Sequence, residues 1–186
     1  MTFNYVPAIL HLDGEAIQKV AGNPRGFLYA NVIVLAIIIC LSTAQVYFGL
    51  DVGLTDFQTP LASAMFALTV FFLYASSWLM AATLFFANKL IGNKSFTIKE
   101  VYSVVGHFYP VTLLALVPYG TFPGFIYLAL LQSRTIQVLA QTKLFSAIGT
   151  WAIAFLFMLI IGNLLYVGII LVGAYIEIAT GSVNLF

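Results

Sequence analysis

Charge is scarce in this chain of 186 residues: Asp, Glu, Lys and Arg together make up 7% of it, and the formal net charge is +1. A typical soluble domain contains roughly 25% charged residues. A nearly neutral chain gives no electrostatic basis for binding nucleic acid or an anionic surface. Because 62% of the residues are hydrophobic, no water-soluble fold could bury them all. The solvent of this protein must therefore be largely lipid.

Cysteine is nearly missing, and the sequence motifs of catalysis are missing altogether. Cys40 is the single cysteine, so the chain holds no disulfide framework and no C-x-x-C metal or redox site. The sequence contains no P-loop, no G-x-S-x-G, no H-E-x-x-H and no G-x-G-x-x-G. Most proton-coupled transporters would need a pair of carboxylates within the membrane, and no such pair falls inside an apolar run of this chain. We therefore expect no enzyme activity, no cofactor and no metal site.

Long apolar runs dominate what is present. A helix needs about 20 residues to cross the hydrocarbon core of a bilayer. The runs predict an all-α integral membrane protein with a single five-helix transmembrane domain over residues 27–180. A cytoplasmic segment, 1–26, precedes it and a short external tail, 181–186, follows it. The predicted spans are about 27–50, 61–88, 99–117, 122–140 and 147–176.

The charges of the connecting segments predict the orientation. Cytoplasmic flanks of membrane proteins collect Lys and Arg. With five spans, flanks that carry bases alternate with flanks that carry only acids or no charge, whereas four spans break this alternation. The N-terminus is therefore predicted to be cytoplasmic and the C-terminus external or periplasmic, in a multi-pass protein of the cell membrane. The flanking bases are Lys19, Arg25, Lys89, Lys94, Lys99 and Lys143.

Local helix signals add detail to this layout. Asp13 is placed as the N-cap of a short amphipathic helix, 13–22, which we expect to lie on the cytoplasmic surface of the membrane. Thr97 and Glu100 have the T-x-x-E spacing of a capping box at the start of the third span. Prolines and glycines within 118–124 predict a tight turn that makes the third and fourth spans an antiparallel pair.

Arg134 is the residue that fits an apolar span least well. Counted from an entry at Phe122, it lies roughly 18 Å deep, and Gln137 follows on the same helical stripe. Three interpretations stay open. In the first, the inner end of the fourth helix lies at the interface and the arginine side chain snorkels to it. In the second, Arg134 and Gln137 line a site for a ligand or partner. In the third, Arg134 forms a deep ion pair with an N-terminal acid, Asp13 or Glu15.

Two other polar residues of the predicted spans are candidates for function. His107 has the chemistry to ligate haem or chlorophyll magnesium or to relay a proton. The commoner role of such a histidine is a hydrogen bond, here to a carbonyl freed by Pro110. Asn163 is predicted to form an interhelical contact or a hinge. A stripe of small residues with four-residue spacing favours close helix packing in the first span: Ala36, Cys40 and Ala44.

Three segments resemble the Yip family of Ypt/Rab-interacting membrane proteins in its prokaryotic form. They read ILHLDGEAIQKVAGNPRGF, KSFTIKEVYSVVGHFYPVTLLALVP and TKLFSAIGTWAI. The resemblance implies a five-helix integral membrane protein without known enzyme activity. Members of the family in eukaryotes act in vesicle traffic as partners of small GTPases. This chain lacks their long acidic region and their D-L-Y-G-P motif, and His107 stands where an aromatic usually follows the glycine. These departures argue against GTPase binding.

Together these observations predict a non-enzymatic scaffold or accessory subunit of a prokaryotic cytoplasmic (inner) membrane. Its partners would be membrane lipids and other integral membrane proteins, not nucleic acid. The first alternative is a protein that binds or transports a lipid or small solute at a site around Arg134, Gln137 and His107. The second is a pigment- or haem-associated subunit that uses His107.

Overall fold

The structure, a computed structural model, describes residues 4–48, 60–117 and 119–180. Within these ranges the chain is all-helical and contains no strand. The predicted loop between the first two spans, for the most part, and the tail at 181–186 lie outside the described residues. In chain order the helices are α1 (Tyr5–Leu10), α2 (Gly14–Ala21), α3 (Gly26–Phe48), α4 (Pro60–Ile91), α5 (Ile98–Phe108), a 3₁₀ helix (Tyr109–Leu116), α6 (Thr121–Leu139) and α7 (Leu144–Thr180).

Three of the described helices are long and apolar enough to cross a membrane. They are α3, α4 and α7, with apolar stretches over Gly26–Thr43, Phe66–Ile91 and Leu144–Leu165. These stretches fall on the first, second and last predicted spans. By length and composition, the prediction of an all-helical membrane protein is therefore confirmed for these three helices.

The third and fourth predicted spans are built differently. Residues 99–117 fold mainly as α5, of 11 residues, followed directly by the 3₁₀ helix of 8 residues. Pro110 lies at the start of the 3₁₀ helix, where its missing N–H and fixed φ interrupt α-helical hydrogen bonding. α6 is continuous over 19 residues and contains Arg134. Neither segment is among the helices long and apolar enough to cross a membrane alone, so the count of five spans stays a prediction.

α5 forms the centre of the bundle. Every residue from Val101 to Tyr109 is buried, and α5 contacts α1, α2, α3, α4 and α6. A helix enclosed by protein does not need a continuous apolar surface. For this reason α5 can carry Ser103 and His107 inside a membrane domain.

α3 and α5 approach each other closely through small residues. A methyl group added at Gly106 would lie 2.4 Å from Cβ of Ala30, and one added at Gly26 would lie 3.5 Å from Cβ of Ser103. Small side chains let helix backbones approach closely in a membrane. The stripe predicted for this role lies elsewhere: Ala36 and Cys40 are exposed, so they do not pack inside the chain. The side chain of Ala44 is not among the described ones.

Two predicted helix starts are confirmed. The Glu100 carboxylate accepts a hydrogen bond from the Thr97 backbone N–H at 2.6 Å, and the Thr97 hydroxyl oxygen accepts one from the Glu100 N–H at 3.2 Å. This pair is the capping box of α5. Asp13 Oδ1 accepts from the Glu15 N–H at 2.9 Å and caps α2. Both patterns involve neighbours in sequence, which is why spacing alone could predict them.

The N-terminal helices pack into the bundle. Ile9, Ile17 and Val20 are fully buried and belong to the same apolar core as side chains of α5 and α6. The apolar face of α2, which the sequence analysis assigned to the membrane surface, contacts α5 and α6. The placement of this helix at the membrane interface stays a prediction.

Candidate functional site

Arg134 joins the inner part of α6 to the turn between α1 and α2. Its Nε donates to the Leu12 carbonyl at 3.2 Å, and one terminal nitrogen donates to Gln137 Oε1 at 2.7 Å. Arg134 and Gln137 therefore come together as their spacing predicted. Arg134 is half-buried. Its bond to the Leu12 carbonyl holds the N-terminal helices against α6, and Gln137, which lies on α6 itself, fixes the position of the guanidinium.

The acids proposed as ion-pair partners of Arg134 have other roles. Asp13 caps α2, and Glu15 pairs with Lys19 at 3.5 Å. Among the described residues, neither carboxylate forms an ion pair with Arg134. Instead, the structure shows Arg134 bound to a neutral group, the backbone carbonyl of Leu12.

A second side chain of α6 holds the same N-terminal turn. The Tyr127 hydroxyl donates to the Leu10 carbonyl, and Tyr127 lies two turns before Arg134 on the same face of α6. The two bound carbonyls belong to Leu10 and Leu12, and Leu12 adopts a positive φ of 62°. A left-handed leucine costs on the order of 1–3 kcal/mol, so the turn persists because tertiary contacts such as these hold it. The sequence carries no local signal for this attachment.

His107 is buried in α5 with one ring nitrogen bound. Its Nδ1 lies 2.6 Å from the Ser103 carbonyl oxygen, one turn earlier in the same helix. The predicted partner, a carbonyl freed by Pro110, is therefore not the one used. A carbonyl only accepts, so Nδ1 carries the proton and Nε2 is the basic nitrogen. Nε2 has no hydrogen-bond partner among the described residues.

Few of the residues near His107 are potential metal ligands. Among the described residues, no group of three or more His, Cys, Asp and Glu side chains is placed to hold a metal ion. His11, the other histidine, is exposed at the end of α1. The residues of α5 around His107 are buried without interruption, from Val101 to Tyr109, and a role of His107 in binding haem or a pigment stays a prediction.

Asn163 lies on the exposed part of α7. Its amide nitrogen donates to the Leu159 carbonyl at 2.7 Å within the same helix. Among the described residues Asn163 forms no hydrogen bond to another helix, so its predicted role in an interhelical contact or a hinge stays a prediction. Its surface position leaves it available to a neighbouring molecule in the membrane.

A polar cluster that sequence reasoning missed joins α3, α4 and α5. Asn31 Oδ1 accepts from the hydroxyls of Tyr74 at 2.5 Å and Tyr102 at 3.3 Å, and its amide nitrogen donates to the Phe27 carbonyl at 2.8 Å. The ring of Tyr102 stacks on Trp78 with 4.0 Å between centroids. The partners are 43 and 71 residues from Asn31, so no local pattern could have found them.

A second missed cluster joins the α4–α5 loop to the start of α7. Asn93 Oδ1 accepts from the hydroxyls of Thr142 at 3.2 Å and Ser146 at 3.1 Å, and its amide donates to Thr150 Oγ1 at 3.3 Å. The Lys94 ammonium donates to an exposed glutamine, Gln141, at 2.9 Å. The two loops therefore meet at one end of the bundle.

Comparisons with protein-family models, with curated proteins and with solved structures found no match. The class that the helices define is an all-helical protein with three helices able to cross a membrane.

Proposed function

We propose that this chain is a non-enzymatic integral membrane protein that crosses a prokaryotic cytoplasmic membrane five times and binds other membrane proteins as a scaffold or accessory subunit. The proposal includes membership of the Yip family in its prokaryotic form, which rests on the three segments quoted above.

The arrangement of the loops supports five crossings. The α4–α5 loop and the α6–α7 loop meet through Asn93. The α2–α3 turn lies at the same end, because the Lys99 ammonium at the start of α5 is 5.4 Å from the Phe27 ring centroid at the start of α3. Loops that share an end are separated by an even number of crossings. With α7 added, the total is odd, and it is five if α5 and the 3₁₀ helix together make one crossing and α6 makes another.

The charges agree with this assignment. Every lysine and arginine of the chain except Arg134 lies in or beside these three segments. Such a concentration of bases favours the cytoplasmic side. The N-terminus is then cytoplasmic and the C-terminus external.

The observation that carries the proposed role is the contrast between the interior and the outer faces. The polar side chains of Arg134, Gln137 and Asn31 inside the bundle are bonded within the chain. The outward faces of α3, α4 and α7 expose large apolar side chains, among them Val32, Ile39, Phe71, Phe72, Leu156 and Ile160. Such faces suit contact with lipid and with the helices of other membrane proteins.

A pair of fusions tests the topology. A reporter active only in the cytoplasm should be active when fused before Met1 and inactive when fused after Phe186. A periplasmic reporter should give the reverse. Activity of one reporter at both ends would contradict the odd number of crossings.

Purification in mild detergent, followed by mass spectrometry, tests the role. We expect a defined larger complex from the wild-type chain. Ala36→Leu and Cys40→Leu enlarge exposed residues of α3 and should release the partner. Ala75→Leu makes a similar change on the exposed face of α4 and serves as the control. A chain that always purifies alone, with native lipid retained, would contradict the scaffold role.

A further inference from the structure

A partly open cavity of about 170 Å³ lies between α4, α6 and α7. α7 packs against both α4 and α6, and the cavity occupies the remaining space between them. Most of its wall is apolar or aromatic. The residues that matter here are Met80, Phe125, Gln132, Trp151, Phe155 and Met158.

The polar side chains that line the cavity are already bonded to the protein. Gln132 Oε1 accepts from the Trp151 indole N–H at 2.9 Å, and its amide nitrogen donates to the Met80 sulfur at 2.7 Å. The Thr83 hydroxyl donates to the Met80 carbonyl at 2.9 Å. None of the described residues that line the space is charged. A polar occupant would therefore leave its own groups poorly paired.

Aromatic rings form one side of the cavity and reach its mouth. Trp151 and Phe155 stack with 5.5 Å between centroids and 13° between planes. Phe125 lies 5.4 Å from Phe155 and is 44% exposed, so the cavity opens to the outside of the bundle. Because α4 and α7 are long and apolar enough to cross a membrane, the solvent at this opening is hydrocarbon.

We propose that this cavity binds one hydrocarbon tail of a membrane lipid. An apolar cavity of about 150 Å³ in another protein stays free of water and takes up benzene, so a space of this size can accept a segment of an acyl chain. Flexible methionines at the wall adapt to a chain of variable shape. This site is separate from Arg134, Gln137 and His107, and it does not depend on the proposed scaffold role.

The two tryptophans of the chain allow a direct test by fluorescence quenching. In Trp78→Phe the remaining indole is Trp151, inside the cavity wall. In Trp151→Phe the remaining indole is Trp78, which stacks on Tyr102 in another part of the bundle. The full chain in detergent micelles is titrated with a phosphatidylcholine brominated at the middle of its acyl chains. We expect quenching of Trp151 to saturate at one lipid per chain, and quenching of Trp78 to rise without saturation.

Filling the cavity should abolish the saturable quenching. Ala129→Leu and Ala154→Leu, each made in the Trp78→Phe chain, place a larger side chain into the wall. Each should raise the half-saturating lipid concentration about tenfold or more. Ala67→Leu makes the same change on the exposed face of α4 and should leave the titration unchanged.

The outcomes separate the proposal from simple partition into the micelle. Quenching of Trp151 that never saturates in the Trp78→Phe chain would overturn it. Saturable quenching that survives in the filled variants would also overturn it. Ala154 is buried while Ala129 is half-buried, so Ala129→Leu decides the matter if Ala154→Leu does not elute as a folded protein.

Discussion

α5 and α7 belong to the same helical domain and are built in opposite ways. α5 has 11 residues, and all of those from Val101 to Phe108 are buried. α7 has 37 residues, and large apolar side chains are exposed along its described part, including Leu156, Leu159, Ile160, Leu164, Leu165 and Val167. The surroundings of α5 are protein, whereas α7 exposes a long apolar surface that suits contact with lipid.

This difference teaches which constraints the bilayer imposes and which it does not. A helix in contact with lipid must be long and apolar, because hydrocarbon cannot satisfy a polar group. A helix enclosed by its neighbours is released from both demands. α5 can therefore begin at a capping box, carry a buried His107 and give way to a 3₁₀ helix at Pro110. The other helices surround it and supply its contacts.

Gly106→Ala should break this enclosure most severely. The added methyl group would lie 2.4 Å from Cβ and 2.7 Å from Cα of Ala30, so α3 and α5 would have to separate. We expect the free energy of unfolding to fall by about 3 kcal/mol. The measurement is unfolding of the purified protein in detergent by a denaturant.

The same exchange in α7 is the matched control. A methyl group at Gly162 meets nothing within 4 Å, so Gly162→Ala should be neutral or stabilising by up to about 1 kcal/mol. Equal losses for both variants would show that the approach of α3 to α5 is not specially close.

Arg134→Leu should weaken the packing of α1 and α2 against the rest of the bundle, including their contacts with α5. The variant loses the bonds to Leu12 and Gln137, and a hydrogen bond from a charged donor contributes about 1.5–3 kcal/mol. Amide hydrogen exchange in α1 and α2 should therefore accelerate by about tenfold or more. Mass spectrometry of peptides from these helices measures the change.

Lys143→Leu removes an exposed base near the end of α6 and should leave this exchange unaltered. If Arg134→Leu also leaves it unaltered, the anchoring role is wrong and the earlier interpretation of a ligand site around Arg134 and Gln137 gains support.

Asn31→Ala should have a smaller effect and sharpens the contrast between enclosed and lipid-facing helices. The change leaves the hydroxyls of Tyr74 and Tyr102 without their common acceptor. Hydrogen bonds between membrane helices average about 0.6 kcal/mol, so two of them predict a loss of about 1 kcal/mol. Asn163→Ala, which removes a bond within one exposed helix turn, should change the stability much less. A larger loss of stability for Asn163→Ala than for Asn31→Ala would contradict the idea that the polar contacts that stabilise the bundle lie in its interior.

Sequence reasoning succeeded where the signal is local or lies in composition. The apolar stretches of α3, α4 and α7, the capping box at Thr97 and the cap at Asp13 are of this kind. Hydropathy and helical spacing report on a residue and its immediate neighbours. They therefore gave the membrane class and several helix starts.

The same reasoning did not reach the contacts that assemble the helices. Arg134 binds Leu12 across 122 residues of sequence, and Tyr102 binds Asn31 across 71. One partner in the first pair is a backbone carbonyl, and the residues of the second pair are common types. Neither contact is therefore visible in the composition or in a local pattern. The small-residue stripe at Ala36 and Cys40 does not pack inside the chain, because spacing defines a face and not what covers it. His107 is a different kind of failure, because its partner, the Ser103 carbonyl, lies only one turn earlier in the same helix, whereas the sequence analysis named a carbonyl freed by Pro110.

The attachment of the N-terminal turn to α6 has a consequence for biosynthesis. Tyr127 and Arg134 leave the ribosome 117 and 122 residues after the carbonyls that they bind. At about 5–20 residues per second, the first two helices wait several seconds for their docking surface. During that interval the apolar side of α2 lacks the α6 surface that covers it in the finished protein. Because an amphipathic helix can lie on a membrane surface, the pattern of this segment suits the nascent chain as well as the folded one.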